Sequence, residues 1–224
     1  MQTVPIVVSV LALIVSIITA WLTLFHHGTV RMTQPTVVYF GPDGSLPDSQ
    51  LSSPKIFFRT LLYSTSKRGQ IIESMFVKVR RGETSQTFNI WVYGDDRLLR
   101  GSGLFVGEAG VASNHHFLLP SDGTVFQFLS GSYTLDVFAK LVNSSRTINL
   151  SAVDLHLSDQ TATIFGQNGD AGVYFDWGSD SQTYKEHVRE RPKISLPRFL
   201  LAPTELPKKR TRKRSGGLKE DGAS

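Results

Sequence analysis

The chain opens on an apolar run and then changes period. From Val4 to Phe25, 22 consecutive residues carry no charge, and fourteen of them are Leu, Ile, Val or Phe. No face of the run is polar, so it reads as a helix that is apolar all round rather than amphipathic. At about 1.5 Å per residue it extends about 33 Å, close to the roughly 30 Å hydrocarbon layer of a bilayer. Pro5 falls in the first turn, where its missing N–H costs least. Trp21 falls near the far end, where an indole suits the headgroup boundary. A cleaved secretory signal fits poorly. No basic residue precedes the run, the run is too long, and no Ala-x-Ala-like site follows it.

Downstream the period becomes two. Short runs rich in β-branched and aromatic residues recur at 36–40, 55–63, 70–80, 86–93, 114–119, 125–128, 133–142, 147–157, 161–165 and 173–177. Turn chemistry separates them, as in Gly41-Pro42-Asp43-Gly44, Lys67-Arg68-Gly69 and Ser121-Asp122-Gly123. In 133–142, Tyr133, Leu135, Val137, Ala139 and Leu141 share one face. Thr134, Asp136 and Lys140 share the other, with Phe138 breaking the polar side. Ile148, Leu150 and Ala152 alternate until the phase slips to Val153, Leu155 and Leu157, which predicts a β-bulge near Ala152. Asp180 is placed to cap a short polar helix through Arg191, ended by Pro192.

About ten strands with hairpin-length connections predict two antiparallel sheets packed face to face. The segment Gly131-Ser132-Tyr133-Thr134-Leu135-Asp136-Val137 resembles the G-x-Y-x-L-x-V strand of immunoglobulin-like and related sandwiches. That resemblance implies architecture, not activity. The expected fold class is all-β: an antiparallel β-sandwich, immunoglobulin-like in a broad sense, behind one N-terminal transmembrane helix. The expected division is residues 1–25 as anchor, 26–35 as linker and 36–191 as the sandwich. A Pro-containing extension, 192–207, then carries Phe199, Leu200 and Leu201, and 208–224 is a disordered basic tail.

Charge sharpens that division. Of 24 Lys/Arg, seven lie in 208–224, and of 19 Asp/Glu only two do, so residues 1–207 carry 17 of each and sum to zero. The whole net charge of +5 belongs to the tail. A neutral body argues against a broad nucleic-acid footprint on the folded domain. The cationic groups Lys208, Lys209, Arg210, Arg212, Lys213 and Arg214 are instead the candidate site for an anionic partner, either anionic lipid or nucleic acid. With no Cys, disulfides, thiolate catalysis and Cys-based metal sites are excluded.

Other candidate chemistry is thin. Gly101-Ser102-Gly103-Leu104-Phe105-Val106-Gly107 lacks the following helix and the Lys-Ser/Thr pair of a phosphate loop, and reads as a turn or bulge. His115 and His116 point to opposite faces of a strand and cannot easily share one ion, and only folding can bring His156 or His187 near either. Asp95, Asp96, Asp176 and Asp180 form a glycosidase pair only if the fold sets two of them about 5–10 Å apart. Sequons at Asn143 and Asn149 carry no weight, the second lying inside a strand. No catalytic residue, cofactor or metal is expected.

The resulting expectation is a single-pass membrane protein, held through Val4–Phe25, whose sandwich is a non-enzymatic module binding another protein. Sandwiches bind through end loops, here Gly101–Gly110 and the turn at Gly178 and Ser179. The alternatives are a tethered hydrolase or carbohydrate-active protein using acidic residues, and a lipid or nucleic-acid tether acting through the tail. Arg31 just after the span and the basic tail lean toward a cytoplasmic body.

Overall fold

The computed structural model describes residues 3–25, 28–43, 53–95, 98–101, 103–120, 122, 124, 126–142, 144–167 and 171–190. The chain divides at Arg191/Pro192. The extension with Phe199, Leu200 and Leu201 and the basic tail with Lys208, Lys209, Arg210, Arg212, Lys213 and Arg214 both lie outside the described residues.

Helix α1 (Thr3–Ala20) continues into one π-helical turn, Trp21–Phe25. The apolar helix Thr3–Thr23 is long enough to cross a membrane, and none of it is buried against the rest of the chain. Beyond the first turn its hydroxyls are turned back onto its own backbone. Ser9, Ser16, Thr19 and Thr23 each donate to the carbonyl four residues earlier, at 2.7–2.8 Å. Such bonds leave little polar surface unsatisfied in an apolar setting.

The strands that follow are β1 (Val30–Met32), β2 (Val37–Pro42), β3 (Pro54–Ser64), β4 (Gln70–Arg81), β5 (Thr84–Phe88) and β6 (Ile90–Tyr93). Next come β7 (Leu99–Arg100), β8 (Leu104–Val106), β9 (Val111–Leu118), β10 (Gly131–Leu141) and β11 (Thr147–Leu157). Helix α2 (Asp159–Gln167) precedes the last two strands, β12 (Ala171–Gly178) and β13 (Thr183–Glu190). One sheet has the order β13-β12-β2-β3-β9-β6-β7 with β1 also pairing β3; the other has the order β11-β10-β4-β5 with β8 also pairing β4. Every recorded pairing is antiparallel. The body is therefore all-β in two sheets, and side chains from both sheets meet in one core.

Several expected elements differ. The run 86–93 is two strands in two sheets: β5 pairs β4, β6 pairs β9, and Asn89 carries the chain across. The run 161–165 is helical, not extended. Ser158 caps α2 by accepting the Thr161 N–H at 3.2 Å, and Ala162 and Phe165 pack on the core. The Glu186 carboxylate accepts the Ser158 N–H and the Thr161 hydroxyl, so tertiary contacts override three β-branched residues. The converse error falls at the end of the body. The helix expected from Asp180 is instead strand β13, a hairpin partner of β12. Its turn is closed by Gln182 at φ 52°, a left-handed conformation no helix contains.

Described residues 126–129 form no strand, yet Phe128 is buried. Val30–Met32, inside the stretch expected as linker, pairs with β3 from Val30↔Ser64. The bulge is present but sits at Leu150, because Val137 faces Ser151 while Phe138 faces Asn149. The odd residue on the polar side of β10, Phe138, stacks on Phe76 at 5.0 Å across the strand pair.

Tyr39 shows how closely the larger sheet is packed. It lies on the face opposite Val38 and Phe40, over Gly41 of its own strand and Gly172 of β12, and a Cβ at either glycine collides with its ring. Gly172→Ala is expected to destabilise the full chain in detergent by about 1–3 kcal/mol through overpacking. In a Tyr39→Val background the same change should cost less, and denaturant midpoints arranged as a double-mutant cycle test this. Strict additivity would contradict the close packing.

Candidate functional site

The sequence-level candidates scatter across the fold. His115 and His116 do take opposite faces of β9. His115 is fully buried beside Phe58 and Phe117, and His116 packs against Phe57 on the outer face. His156 lies on β11 in the smaller sheet, and His187 on β13 pairs with Asp176 at 3.2 Å. No group of three His, Asp or Glu side chains suited to a metal ion occurs among the described residues. Asp95 is taken by Arg59 at 2.7 Å and by the Asn114 N–H at 3.2 Å. This arginine holds the Asp95 carboxyl below its usual range, ahead of the smaller effect of the Asn114 N–H. Asp95 follows β6 and Asp176 lies on β12, four strand spacings away across the sheet, or about 19 Å. The separation expected of a glycosidase pair is not met by these two. Asp180 is exposed in the β12–β13 turn, and Asp96, Ser102 and Asn143 lie outside the described residues.

The glycine-rich segment resolves into strand pairing. Leu104–Val106 forms β8 against β4, and the Gly101 N–H donates to Trp91 O at 2.8 Å. The turn reading fits this geometry, with Gly103 and Gly110 both at positive φ.

Three arrangements were not visible as sites in the sequence. The first is a transverse row on the outer face of the larger sheet. His187, Tyr174, Tyr39, Phe57 and His116 are successive cross-strand partners over five strands. Their ring centroids are 5.5, 4.9, 6.5 and 4.9 Å apart in that order. Arg189 lies over Tyr174 at 5.4 Å, where guanidinium and ring attract.

The second is the core histidine. Trp91 Nε1–H donates to His115 Nδ1 at 3.2 Å, which places the His115 proton on Nε2, and that buried nitrogen has no hydrogen-bond partner. Burial, with a smaller push from His116, holds the His115 imidazole down at about 4. Burial, then Lys55, holds His116 at about 4 as well.

The third is a groove of about 520 Å³ where the β12–β13 hairpin of one sheet meets β10 and β11 of the other. Trp177 and Tyr184 form one side, paired across the hairpin with ring centroids 5.0 Å apart. Tyr184 donates its hydroxyl to Pro35 O at 2.6 Å and accepts from Gln34 Nε2 at 2.9 Å, so the phenol ring is fixed. Burial raises its pKa to about 12, which keeps that hydroxyl protonated. Asp154 and His156 also line it, both exposed on the outward face of β11. Asp154 Oδ1 accepts from Thr134 at 2.8 Å, and His156 Nδ1 meets the Ser132 hydroxyl at 3.3 Å. Asp154 drew no reading from the sequence, and the aromatic part of the lining depends on a hairpin that the helix expectation concealed. A larger hollow of about 640 Å³ lies between α2 and the 126–130 segment, lined by Phe126, Phe128, Phe165 and Pro42 with Arg81 at its edge.

Compared with known proteins, the chain matches no family model, no curated protein and no solved structure.

The two depressed histidines give the body an acid sensitivity. Between pH 6.5 and about 4 the unfolded chain takes up these protons and the folded chain does not. Stability is therefore complete above pH 6.5 and falls as pH drops through that window. For His115 the loss reaches about 3 kcal/mol by pH 4, at about 1.36 kcal/mol per pH unit, and the less buried His116 contributes less. Denaturant titrations at pH 7.5, 5.5 and 4.5 measure it. His115→Gln, whose amide still accepts from Trp91, should flatten the pH dependence by about one proton. A midpoint that does not move between pH 7.5 and 4.5 would refute the assignment.

Proposed function

We propose that this protein is a single-pass membrane protein whose β-sandwich, immunoglobulin-like in the broad sense, serves as a non-enzymatic module for binding another protein. The observation that carries the reading is the uncharged helix Thr3–Thr23, unburied by the body it precedes. The fourteen Leu, Ile, Val and Phe residues of Val4–Phe25, at roughly −0.4 kcal/mol each, favour insertion by about 6 kcal/mol, with no ionised group opposing. The immunoglobulin-like element is supported by Tyr133, whose hydroxyl donates to Leu129 O four residues upstream, in the manner of a tyrosine corner. Recognition falls to the end loops, with the turn at Gly178 and Ser179 and the parts of Gly101–Gly110 that flank strand β8 as the surfaces on offer. A second reading, a tether to anionic lipid or nucleic acid, is favoured by six cations within residues 208–214. Arg31 and that tail favour a cytoplasmic body.

The full chain in cells should stay in the membrane pellet through alkaline carbonate, and its mature N-terminus should lie upstream of Phe25. Release by carbonate, or a product beginning beyond Phe25, overturns the anchor. Affinity capture from a mild detergent extract should bring down a stoichiometric protein partner, both for the full chain and for a chain ending at Pro207. A partner lost with residues 208–224, in a steeply salt-dependent way, transfers the function to the tail.

A further inference from the structure

We infer that the groove between the β12–β13 hairpin and strands β10–β11 is a binding site for an uncharged oligosaccharide. The chemistry of its two sides is complementary to a sugar in three respects. A pyranose presents a flat face of C–H groups, and Trp177 and Tyr184 are half-buried rings with centroids 5.0 Å apart and planes tilted by 58°, so that either ring, but not both together, can take such a face. The Tyr184 ring is immobilised by its bonds to Pro35 and Gln34, so little ordering is required on binding.

The β10–β11 part of the lining supplies hydrogen-bonding groups in both senses. Asp154 uses Oδ1 on Thr134 and His156 uses Nδ1 on Ser132. Those two bonds use one atom of each side chain, leaving Asp154 Oδ2 and His156 Nε2 over, and the Trp177 indole adds one N–H. A sugar hydroxyl both donates and accepts, so it can satisfy a carboxylate oxygen and an indole or imidazole nitrogen together. Asp154 and His156, two residues apart on an extended strand, are spaced by about 7 Å, enough to meet different hydroxyls of one ring or of adjacent rings.

Charge selects the class. No Lys or Arg lines the groove and its one lining carboxylate is Asp154, so phosphorylated, sulfated or carboxylated sugars meet that carboxylate and find no fixed positive charge. Its volume of about 520 Å³ sits within the roughly 300–1,000 Å³ typical of small-ligand sites, and it is open to solvent rather than enclosed. The site is independent of the anchor, so a failure of the membrane reading leaves it standing, and the reverse also holds.

The test uses the full chain solubilised in a detergent with no sugar headgroup, titrated calorimetrically with neutral hexose and N-acetylhexosamine tetrasaccharides, and with a sulfated tetrasaccharide and an uncharged peptide as competitors for the same groove. At least one neutral tetrasaccharide should bind, Trp177→Ala should abolish that binding, and Asp154→Asn, which keeps the side-chain shape, should weaken it by about tenfold. A folded wild-type chain that binds no neutral tetrasaccharide overturns the assignment. Equal binding by wild type and Asp154→Asn does the same, as does a preference for the sulfated sugar or the peptide.

Discussion

The body depends on a knot of rings at which both sheets and α2 converge on one phenylalanine. Phe128 belongs to no strand, yet it stacks on Phe40 of the larger sheet at 4.3 Å. It also meets Phe88 and Tyr133 of the smaller sheet and Phe165 of α2 at 6.1–6.5 Å. Phe40 adds an edge contact to Phe175 at 5.0 Å. Each such ring buries a large apolar area, and offset or edge packing adds about 0.5–1.5 kcal/mol per pair beyond that area. The segment keeps a strand's alternation without a strand's pairing: Phe126 and Phe128 turn inward while Gln127 and Leu129 are exposed, and no neighbouring strand fixes its register.

Around that knot, connectivity rather than local pairing joins the layers. The passage from β5 to β6 through Asn89 commits one continuous run to both sheets. Cross-strand partners then sort each face. The inner face is aliphatic and aromatic, whereas the outer face of the smaller sheet carries polar pairs such as Thr134 with Asp154 and Arg80 with Asp136. The outer face of the larger sheet departs from this pattern with its row from His187 to His116, and the buried His115 below it leaves one donor without a partner. An unsatisfied buried donor costs about 1–3 kcal/mol, so the larger sheet carries a cost that its packing must offset.

Much of the architecture was legible because it rests on period. The apolar helix, the alternation in β10 and the phase slip in β11 follow from side-chain spacing alone, and the structure moves the slip only from Ala152 to Leu150. What was not legible rests on contacts distant in sequence. Thr161, Thr163 and Ile164 have strand-like preferences, and only the Ser158 cap and the far Glu186 make that stretch a helix. Asp180 looks like a cap until its neighbour Gln182 takes a left-handed turn. The groove was hidden for the same reason. Trp177 and Tyr184 meet only across that turn, and Asp154 and His156 reach them only through the meeting of two sheets.

Only four residues, His26 to Thr29, separate Phe25 from the first paired strand at Val30. Even fully drawn out, those five steps span about 18 Å, at about 3.6 Å per residue. With the helix embedded, so short a leash forbids the body from sampling the solution beyond its own breadth from the lipid. A body so tethered would stay within a thin shell over the lipid, where it would meet molecules resident on the same surface more often than dilute ones in solution.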